Sequence, residues 1–240
     1  MSAIGRYKVG PPQKPAISHD NGFLALGKRT ATVKDKIGYI GWHAVTAVAE
    51  GFQHVPFAPK NDISDALAAY RHFLVGGGAK RVISIERYVA SDSSGKKWLK
   101  SCMKDAQWAV FELLEKLPQD KTSFQFYSEA LTNGLNNADF PYPDTENWQK
   151  TIGGFSFWIT GSANIERNAN STTYNADVEV HIEDMYNFNP NQKDIATGIP
   201  DDWNGGFAQT GLAKQYINYG SIKRSISWTG RPSHASEPKV

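Results

Sequence analysis

The chain contains a single cysteine, Cys102, among its 240 residues. One cysteine excludes an intrachain disulfide framework and a cysteine-rich metal site. Cys102 lies within an apolar helical pattern, which favours a buried, unreactive thiol over a nucleophile. The sequence also lacks a long apolar run, so it shows neither a signal peptide nor a membrane-spanning stretch. Export would therefore require a dedicated secretion machinery or a longer parent polypeptide.

Short catalytic motifs are absent as well. The sequence holds no Gly-x-Ser-x-Gly elbow, no His-Glu-x-x-His helix and no Gly-x-Gly-x-x-Gly dinucleotide loop. The triglycine at 76–78 follows a helical pattern and lacks the Lys-Ser/Thr ending of a phosphate loop, so a helix cap is the better interpretation. These absences leave covalent catalysis without an obvious nucleophile.

The net charge of +2 gives no global reason to expect nucleic acid or an anionic membrane as a partner. The first 36 residues nevertheless hold seven basic and two acidic residues, a local charge of +5. Together with several prolines and glycines, this predicts a flexible basic arm over residues 1–35. The alternative is an arm that docks on a delivery partner or an anionic surface. The later half has no basic stripe interleaved with aromatics, so we expect no nucleic-acid partner.

Helical patterns dominate up to about residue 117 and strand patterns after it, which predicts an α+β fold. We divide the chain into the arm, a helical subdomain over 36–120, a β-rich subdomain over 121–231 and a frayed tail over 232–240. Apolar residues at helical spacing predict the helices Ile37–Gln53, Asn61–Val75, Ser94–Lys116, Asn147–Lys150 and Gly206–Tyr216. Extended patterns predict the strands Arg81–Tyr88, Ser123–Tyr127, Phe155–Thr160, Tyr174–Glu183 and Ser221–Thr229.

The strongest strand pattern, Tyr174–Glu183, leads into the most informative segment of the chain. A two-residue period places its aliphatic residues on one face and, carried forward, places Asp184 and Tyr186 on that same core-side face. A carboxylate there must be hydrogen-bonded, charge-paired or protonated, since burying it alone is costly. Asn187 and Asn189 then end the strand with turn chemistry. The segment is either a functional site or a corner that fixes the turn.

The opposite face of that strand holds Asp177, Glu179, His181 and Glu183. Histidine with carboxylates is metal-ligand chemistry, but alternate strand residues lie about 6.5–7 Å apart, so all four cannot hold one ion. Two of them with a ligand from a neighbouring strand could. We favour the alternative, a solvated outer face.

The run from Asp184 through Tyr186 to Asn189-Pro190 resembles the active-site run of the colicin M family. The family pattern is Asp-x-Tyr-Asp-x-Asn-Pro, followed two residues later by His-Arg. Members of that family are bacteriocins that cleave lipid-linked precursors of peptidoglycan. Asp184 and Tyr186 match the first acid and the tyrosine, and Asn189-Pro190 match the turn.

The sequence departs from this pattern at three positions. Asn187 replaces the second acid, and Lys193 and Asp194 stand where the family has His-Arg. The family's phosphoryl chemistry relies on those missing groups. The segment Arg224–Gly230 also resembles the final strand of C-terminal modules of secreted bacterial toxins.

The resemblance implies an N-terminal helical part packed on an antiparallel β-rich part similar to the colicin M catalytic domain. It implies a toxin that acts in the periplasm or envelope of a competing bacterium as a phosphodiesterase on a lipid-linked cell-wall precursor. An immunity protein and a secretion machinery are the implied protein partners. The implied catalytic residues are Asp184, Tyr186, Lys193 and Asp194. The implied binding residues are Asn187, Asn189 and Trp228.

A divalent metal, Mg²⁺ or Ca²⁺, bound by Asp184, is expected to assist, because phosphoryl transfer requires charge neutralisation. The alternative is a non-enzymatic toxin or binding module on the same scaffold, which associates with the membrane or with envelope components. In that version Asp184 and Tyr186 hold the strand end. The contacts are then made by the basic arm or by the aromatic residues Trp158, Trp203 and Trp228.

Overall fold

Most helices of the chain precede residue 115, and the long strands follow it. The structure is a computed structural model that describes residues 5–56, 61–194 and 198–233. The helices in these ranges are Val33–Gln53 (α1), Ser64–Val75 (α2), Ile85–Ser91 (α3), Ser93–Leu114 (α4), Glu146–Thr151 (α5) and Asp202–Thr210 (α6), with a 3-10 helix at Gly22–Leu26. The strands are Tyr7–Val9 (β1), Arg81–Val82 (β2), Ser123–Ser128 (β3), Leu131–Thr132 (β4), Ser156–Asn168 (β5), Ser171–Tyr186 (β6) and Tyr216–Thr229 (β7).

These strands form one mixed sheet in the order β1-β3-β5-β6-β7-β2, with β4 beside β5. β5, β6 and β7 pair antiparallel along most of their length and make the centre of the sheet. The two-residue β2 pairs parallel with β7. The predicted α+β fold is confirmed, with an antiparallel centre as expected. The boundaries of the proposed subdomains stay predictions.

The main core lies between α4 and one face of this sheet. Trp98, Cys102, Ala106 and Val110 recur at helical spacing on α4 and are fully buried, in one cluster with Val180 of β6. Burial raises the pKa of the Cys102 thiol well above its ordinary value. The prediction of a buried thiol is therefore confirmed.

A second apolar cluster lies at the other end of the helical layer and reaches the end of β6. Its buried residues come from α2, α6, β7 and the loop between the last two, and Phe73, Phe207 and Tyr216 are the largest of them. Tyr186 and Phe188 pack against this cluster. The aromatic cluster therefore connects α2 to the segment that the sequence singles out.

The prediction of a flexible N-terminal arm is wrong for residues 6–26. Tyr7–Val9 form an edge strand antiparallel to β3. Arg6 Nη2 lies 2.5 Å from Asp105 Oδ1 on α4, and Lys14 Nζ lies 2.6 Å from Glu183 on β6. The basic residues of this segment pair with carboxylates about 100 or more positions away, a relationship that local composition does not contain.

Two local predictions also need correction. Only Arg81–Val82 of the predicted strand 81–88 form a strand, because Ser84 caps the next helix by accepting a hydrogen bond from the Arg87 N–H at 3.2 Å. The helix predicted over 206–216 instead ends at Thr210, and Gly211 terminates it with a φ of 73°. The tail prediction falls largely on 234–240, outside the described residues.

Candidate functional site

Asp184 lies near the end of β6, half-buried, opposite Asn218 of β7. The fully buried Asn218 amide donates one hydrogen bond to Asp184 Oδ2 at 3.4 Å and one to the Thr151 carbonyl of α5 at 2.9 Å. Asp184 is therefore held from the side that the helices cover. The inward direction predicted from the strand period is confirmed.

The protonation of Asp184 is set mainly by its surroundings. Burial raises the pKa of this carboxyl well above its ordinary value, and the hydrogen bond from Asn218 offsets part of that rise. The negative charge of Asp20 raises the pKa further. A raised pKa makes the deprotonated carboxylate a stronger base, which is the property that general base catalysis uses.

Arg81 brings a guanidinium to the same place. Its Nη1 donates a hydrogen bond to Asn218 Oδ1 at 3.3 Å, so one buried amide joins Arg81 to Asp184. Arg81 could not be predicted from the sequence, because nothing local shows that β2 pairs parallel with β7, which places Arg81 opposite Asn218. Asn218 itself was missed because it lies before the predicted start of the final strand.

Tyr186 stacks on Tyr216, the residue opposite it on β7, with ring centroids 5.0 Å apart and an interplanar angle of 13°. Burial raises the pKa of the Tyr186 phenol, and the positive charge of Arg81 opposes part of the rise. Tyr186 therefore stays a neutral phenol. Its position between the aromatic cluster and Asp184 suits a residue that orients its neighbours.

Asp194 and Asp184 both act on the phenol of Tyr142. Burial raises the pKa of Tyr142, and the negative charges of Asp184 and Asp194 raise it further. Asp194 Oδ1 lies 3.2 Å from Lys150 Nζ of α5. Lys150 Nζ also lies 2.7 Å from Glu146 Oε1 on the same helix, so this cation is shared between two carboxylates.

Lys193, predicted to neutralise a phosphate, is exposed, and its backbone bridges to Pro200. Within the described residues, no hydrogen bond or ion pair joins Lys193 to Asp184. Arg81 and Lys150 are the cations that contact residues of the site. The role of Lys193 stays a prediction.

Asn187 and Asn189 bind the N-terminal segment. The Asn187 amide donates to the carboxylate of Asp20 and, at 3.2 Å, to its carbonyl, and the Asn189 amide lies 3.4 Å from the same carboxylate. The backbone N–H of Asn189 donates to Asp201 Oδ2 at 3.1 Å. Where the colicin M pattern has its second acid, this chain therefore has an amide that brings in a carboxylate from another segment. A ligand-binding role for the two asparagines stays a prediction.

Trp228 lies far from Asp184, and its binding role stays a prediction. It lies opposite Tyr174 and stacks on it with centroids 4.9 Å apart. Asn218, opposite Asp184, is ten residues earlier on the same strand, which corresponds to about 33 Å. Trp158 is buried against His181, and Trp228 packs against the main core, so of the three tryptophans Trp203 is the most exposed.

The outer face of β6 is less solvated than expected. Glu183 is buried between Lys14 and His19, and His181 is stacked on Trp158 with centroids 4.8 Å apart. Only Asp177 is fully exposed, as a solvated face predicts. The rings of Trp158 and His181 cover each other, and this stacking between neighbouring strands stabilises the sheet.

Within 5–56, 61–194 and 198–233, no group of three or more His, Cys, Asp or Glu side chains is placed to hold a metal ion. Asp184 is one carboxylate with an amide neighbour. A Mg²⁺ ion bound there would take most of its ligands from substrate phosphates and water, as Mg²⁺ commonly does. Metal dependence with Asp184 as ligand stays a prediction.

Comparison with known proteins gives distant structural similarity. No family model matches the chain, and no curated protein matches it. Among solved structures it is similar to PaeM, a colicin M-like bacteriocin produced by Pseudomonas aeruginosa, with 17% identity, a TM-score of 0.41 and coverage of 71% of this chain and 52% of that one.

Two further structures show similarity of the same order. Pectocin M2 gives 16% identity and a TM-score of 0.35, over 72% of this chain and 56% of that one. A truncated bacteriocin syringacin M from Pseudomonas syringae pv. tomato DC3000 gives 13% identity and a TM-score of 0.37, over 75% and 67%. The chain thus spans about half the length of the first two of these proteins.

Proposed function

We propose that this chain is a bacteriocin-like antibacterial toxin module that acts in the envelope of a competing bacterium. The proposal rests on the environment of the Asp184 carboxyl. This carboxyl has a raised pKa, is held by Asn218 beside Arg81, and stands in a sequence run that resembles the colicin M active-site run. Tyr186, the matching tyrosine, is packed against the aromatic cluster on the same side.

The substrate class that we propose is a lipid-linked peptidoglycan precursor, cleaved at a phosphate ester bond by water. Asp184 would accept the proton of the attacking water as its oxygen bonds to phosphorus. The bond from phosphorus to the leaving oxygen then breaks, and that oxygen takes a proton from solvent. The raised pKa makes the deprotonated carboxyl a stronger base. Arg81 and Lys150 would offset charge on the phosphate oxygens.

Export and self-protection follow from the same proposal. Export would proceed without a signal peptide, through a dedicated secretion machinery. A producing cell would need an immunity protein, because a toxin that acts in the envelope also threatens its source.

The second candidate is a non-enzymatic toxin or envelope-binding module on the same fold. The second candidate is favoured by the side-chain amides of Asn187 and Asn189, because both contact Asp20 of the N-terminal segment. In this version the segment is the corner that fixes the end of β6.

One set of variants separates the two candidates. The wild-type chain, Asp184→Asn and Asp177→Asn are expressed in the periplasm and in the cytoplasm of a test bacterium. Asp177 is the matched control because it is an exposed aspartate on the same strand. We expect killing from the periplasm alone, unchanged in Asp177→Asn and reduced by about 100-fold or more in Asp184→Asn.

Circular dichroism and thermal unfolding check that both variants fold. Incubation of purified protein with a lipid-linked precursor, with and without a chelator, then tests cleavage and metal dependence. Killing that persists in folded Asp184→Asn would support the second candidate.

A further inference from the structure

The helix α1 exposes the side that a surface helix normally buries. Of its 21 residues only Thr46 is buried. Residues three and four positions apart on its outward side are apolar, and Ile37, Ile40 and Val48 are 65%, 67% and 73% exposed. We call these three residues the outer face of α1. Amphipathic helices of globular proteins direct such a stripe toward the core.

The orientation of α1 is fixed by its inner side. The Tyr39 hydroxyl donates to the Leu74 carbonyl of α2 at 2.7 Å. The Trp42 ring lies 5.8 Å from that of Tyr70, edge to face. Rotating the helix to bury its outer face would break these contacts. The exposed apolar stripe is therefore a consequence of specific packing.

The carboxylates of α1 are both neutralised. Asp35 caps the helix and pairs with Arg29 at 2.7 and 2.8 Å. Glu50 pairs with Arg71 of α2. The outer face thus presents no unpaired negative charge.

The positive charges near the N-terminal end of α1 are exposed. Lys34 and Lys36 are exposed, and Lys34 Nζ lies 5.0 Å from the centre of the Trp203 ring. Trp203 is itself 41% exposed. Aliphatic residues beside lysines and a half-exposed tryptophan are the composition of helices that lie in a membrane interface.

We propose that the outer face of α1, with Lys34, Lys36 and Trp203, docks the protein on the surface of an anionic lipid bilayer. The lysines favour this occupant over a second copy of the chain, because α1 offers no free carboxylate to pair with them. At about 30 Å the helix is long enough to lie along the surface. Among the described residues no helix is long and apolar enough to cross a membrane.

Docking would also orient the candidate site. Through Trp42 and Tyr39, α1 packs on the same aromatic cluster as Tyr186 and Phe188. In the docked protein α1 would lie between the lipid surface and the aromatic cluster against which Tyr186 packs. The docking inference rests on α1 and does not depend on the chemistry at Asp184.

The test is co-sedimentation of the purified chain with vesicles of phosphatidylglycerol and phosphatidylethanolamine, compared with vesicles of phosphatidylcholine. We expect binding to the anionic vesicles with a blue shift of tryptophan fluorescence. Ile40→Glu/Val48→Glu should lower the partition coefficient by about 10-fold or more. Leu135→Glu is the matched control, because Leu135 is 79% exposed but lies in a loop away from α1, and it should bind as the wild type does.

Lys34→Gln/Lys36→Gln should weaken binding to anionic vesicles several-fold and reduce its dependence on salt. Asp184→Asn should bind as the wild type does, so a failure of the catalytic proposal leaves this result unchanged. Absence of binding to anionic vesicles, or equal binding by Ile40→Glu/Val48→Glu, would overturn the inference. A wild-type dimer that this double variant dissociates, without vesicle binding, would assign the face to a second copy and overturn it as well.

Discussion

Lys14 Nζ lies 2.6 Å from both carboxylate oxygens of Glu183, which is 169 positions further along the chain. His19 Nε2 lies 3.0 Å from one of them, and the Glu183 side chain is only 5% exposed. The N-terminal segment is thereby fixed across the outer face of the sheet, where Lys14 lines an open groove of about 700 Å³. These contacts make residues 10–20 part of the folded domain.

Glu183→Gln tests how much this connection stabilises the fold. Burial would raise the pKa of Glu183, but hydrogen bonds from Lys14 and His19 outweigh it, and the pKa is lowered. Because the folded-state pKa is lowered, the carboxylate stabilises the fold at pH values above its unfolded-state pKa of about 4.3. This stabilisation is lost as the pH falls through the folded-state pKa. We expect the variant to lose about 1–3 kcal/mol of unfolding free energy at neutral pH, as measured by urea unfolding.

The loss should shrink below about pH 4, where the wild type also becomes protonated. Glu179→Gln is the control, because its ion pair with Lys223 is longer, at 3.6 Å, and largely exposed on the lysine side. Its change should stay below about 0.5 kcal/mol. If Glu183→Gln lost the same unfolding free energy at neutral pH and below about pH 4, the contacts of the Glu183 carboxylate with Lys14 and His19 would not explain the loss.

Asp92 should be among the most sensitive polar positions of the fold. It is 1% exposed and caps α4 through the N–H groups of Ser94 and Gly95, while its other oxygen accepts hydrogen bonds from the N–H and hydroxyl of Thr145. Burial would raise its pKa, but these hydrogen bonds lower it overall. Replacement by Ala removes the acceptors from several buried donors.

We expect Asp92→Ala to cost about 3 kcal/mol in chemical unfolding, since a lost cap and lost bonds to a charged group combine. The control is Asp120→Ala, at an exposed turn position, with a change within about 0.5 kcal/mol. Similar unfolding free energies for the two variants would show that Asp92 is not the anchor between α4 and the loop before α5.

Two glycines in helices should respond in opposite directions to alanine. A Cβ on Gly205 of α6 would overlap the ring of Phe23, whereas a Cβ on Gly41 of α1 would meet nothing within 4 Å. Gly205→Ala should destabilise by about 1–3 kcal/mol, because the 3-10 helix that carries Phe23 must move. Gly41→Ala should stabilise by about 0.5–1 kcal/mol through helix propensity alone. Thermal unfolding of both variants measures the contrast. Stabilisation of both variants, or destabilisation of both, would contradict the prediction.

The sequence predicted the fold class and the main elements because their signals are local. The apolar spacing of α4 and the alternation in β6 are read within one segment. The N-terminal segment could not be predicted, because its anchors are single contacts such as Arg6 with Asp105. The apolar spacing in α1 also could not predict that its aliphatic side faces solvent. Periodicity shows that the apolar residues share one side of the helix, but not which way that side faces.

The candidate site was predictable to the same extent. Asp184 and Tyr186 were found from the strand period and the resemblance. Their partners Asn218 and Arg81 were missed, because strand register and the parallel pairing of β2 with β7 are long-range properties. The distance of Trp228 from Asp184 could not be predicted either, because it depends on the register of β7 against β6.

Asp184→Asn separates a functional carboxyl from a structural one by its effect on stability. The folded state raises the pKa of Asp184 well above its ordinary value, chiefly through burial. Above about pH 4 the unfolded chain releases this proton more readily than the folded chain does, so the group costs stability as pH rises toward its folded-state pKa. The amide removes that cost, and we expect a gain of about 0.5–2 kcal/mol at neutral pH.

The gain should fade toward about pH 4, and Asp177→Asn, on the exposed face of the same strand, should show neither effect. Urea unfolding across this pH range measures both. A gain in stability with a loss of killing is the pattern of a residue retained for chemistry. A loss of stability at neutral pH would instead show that the carboxyl of Asp184 holds the end of β6 through Asn218, which is the structural alternative.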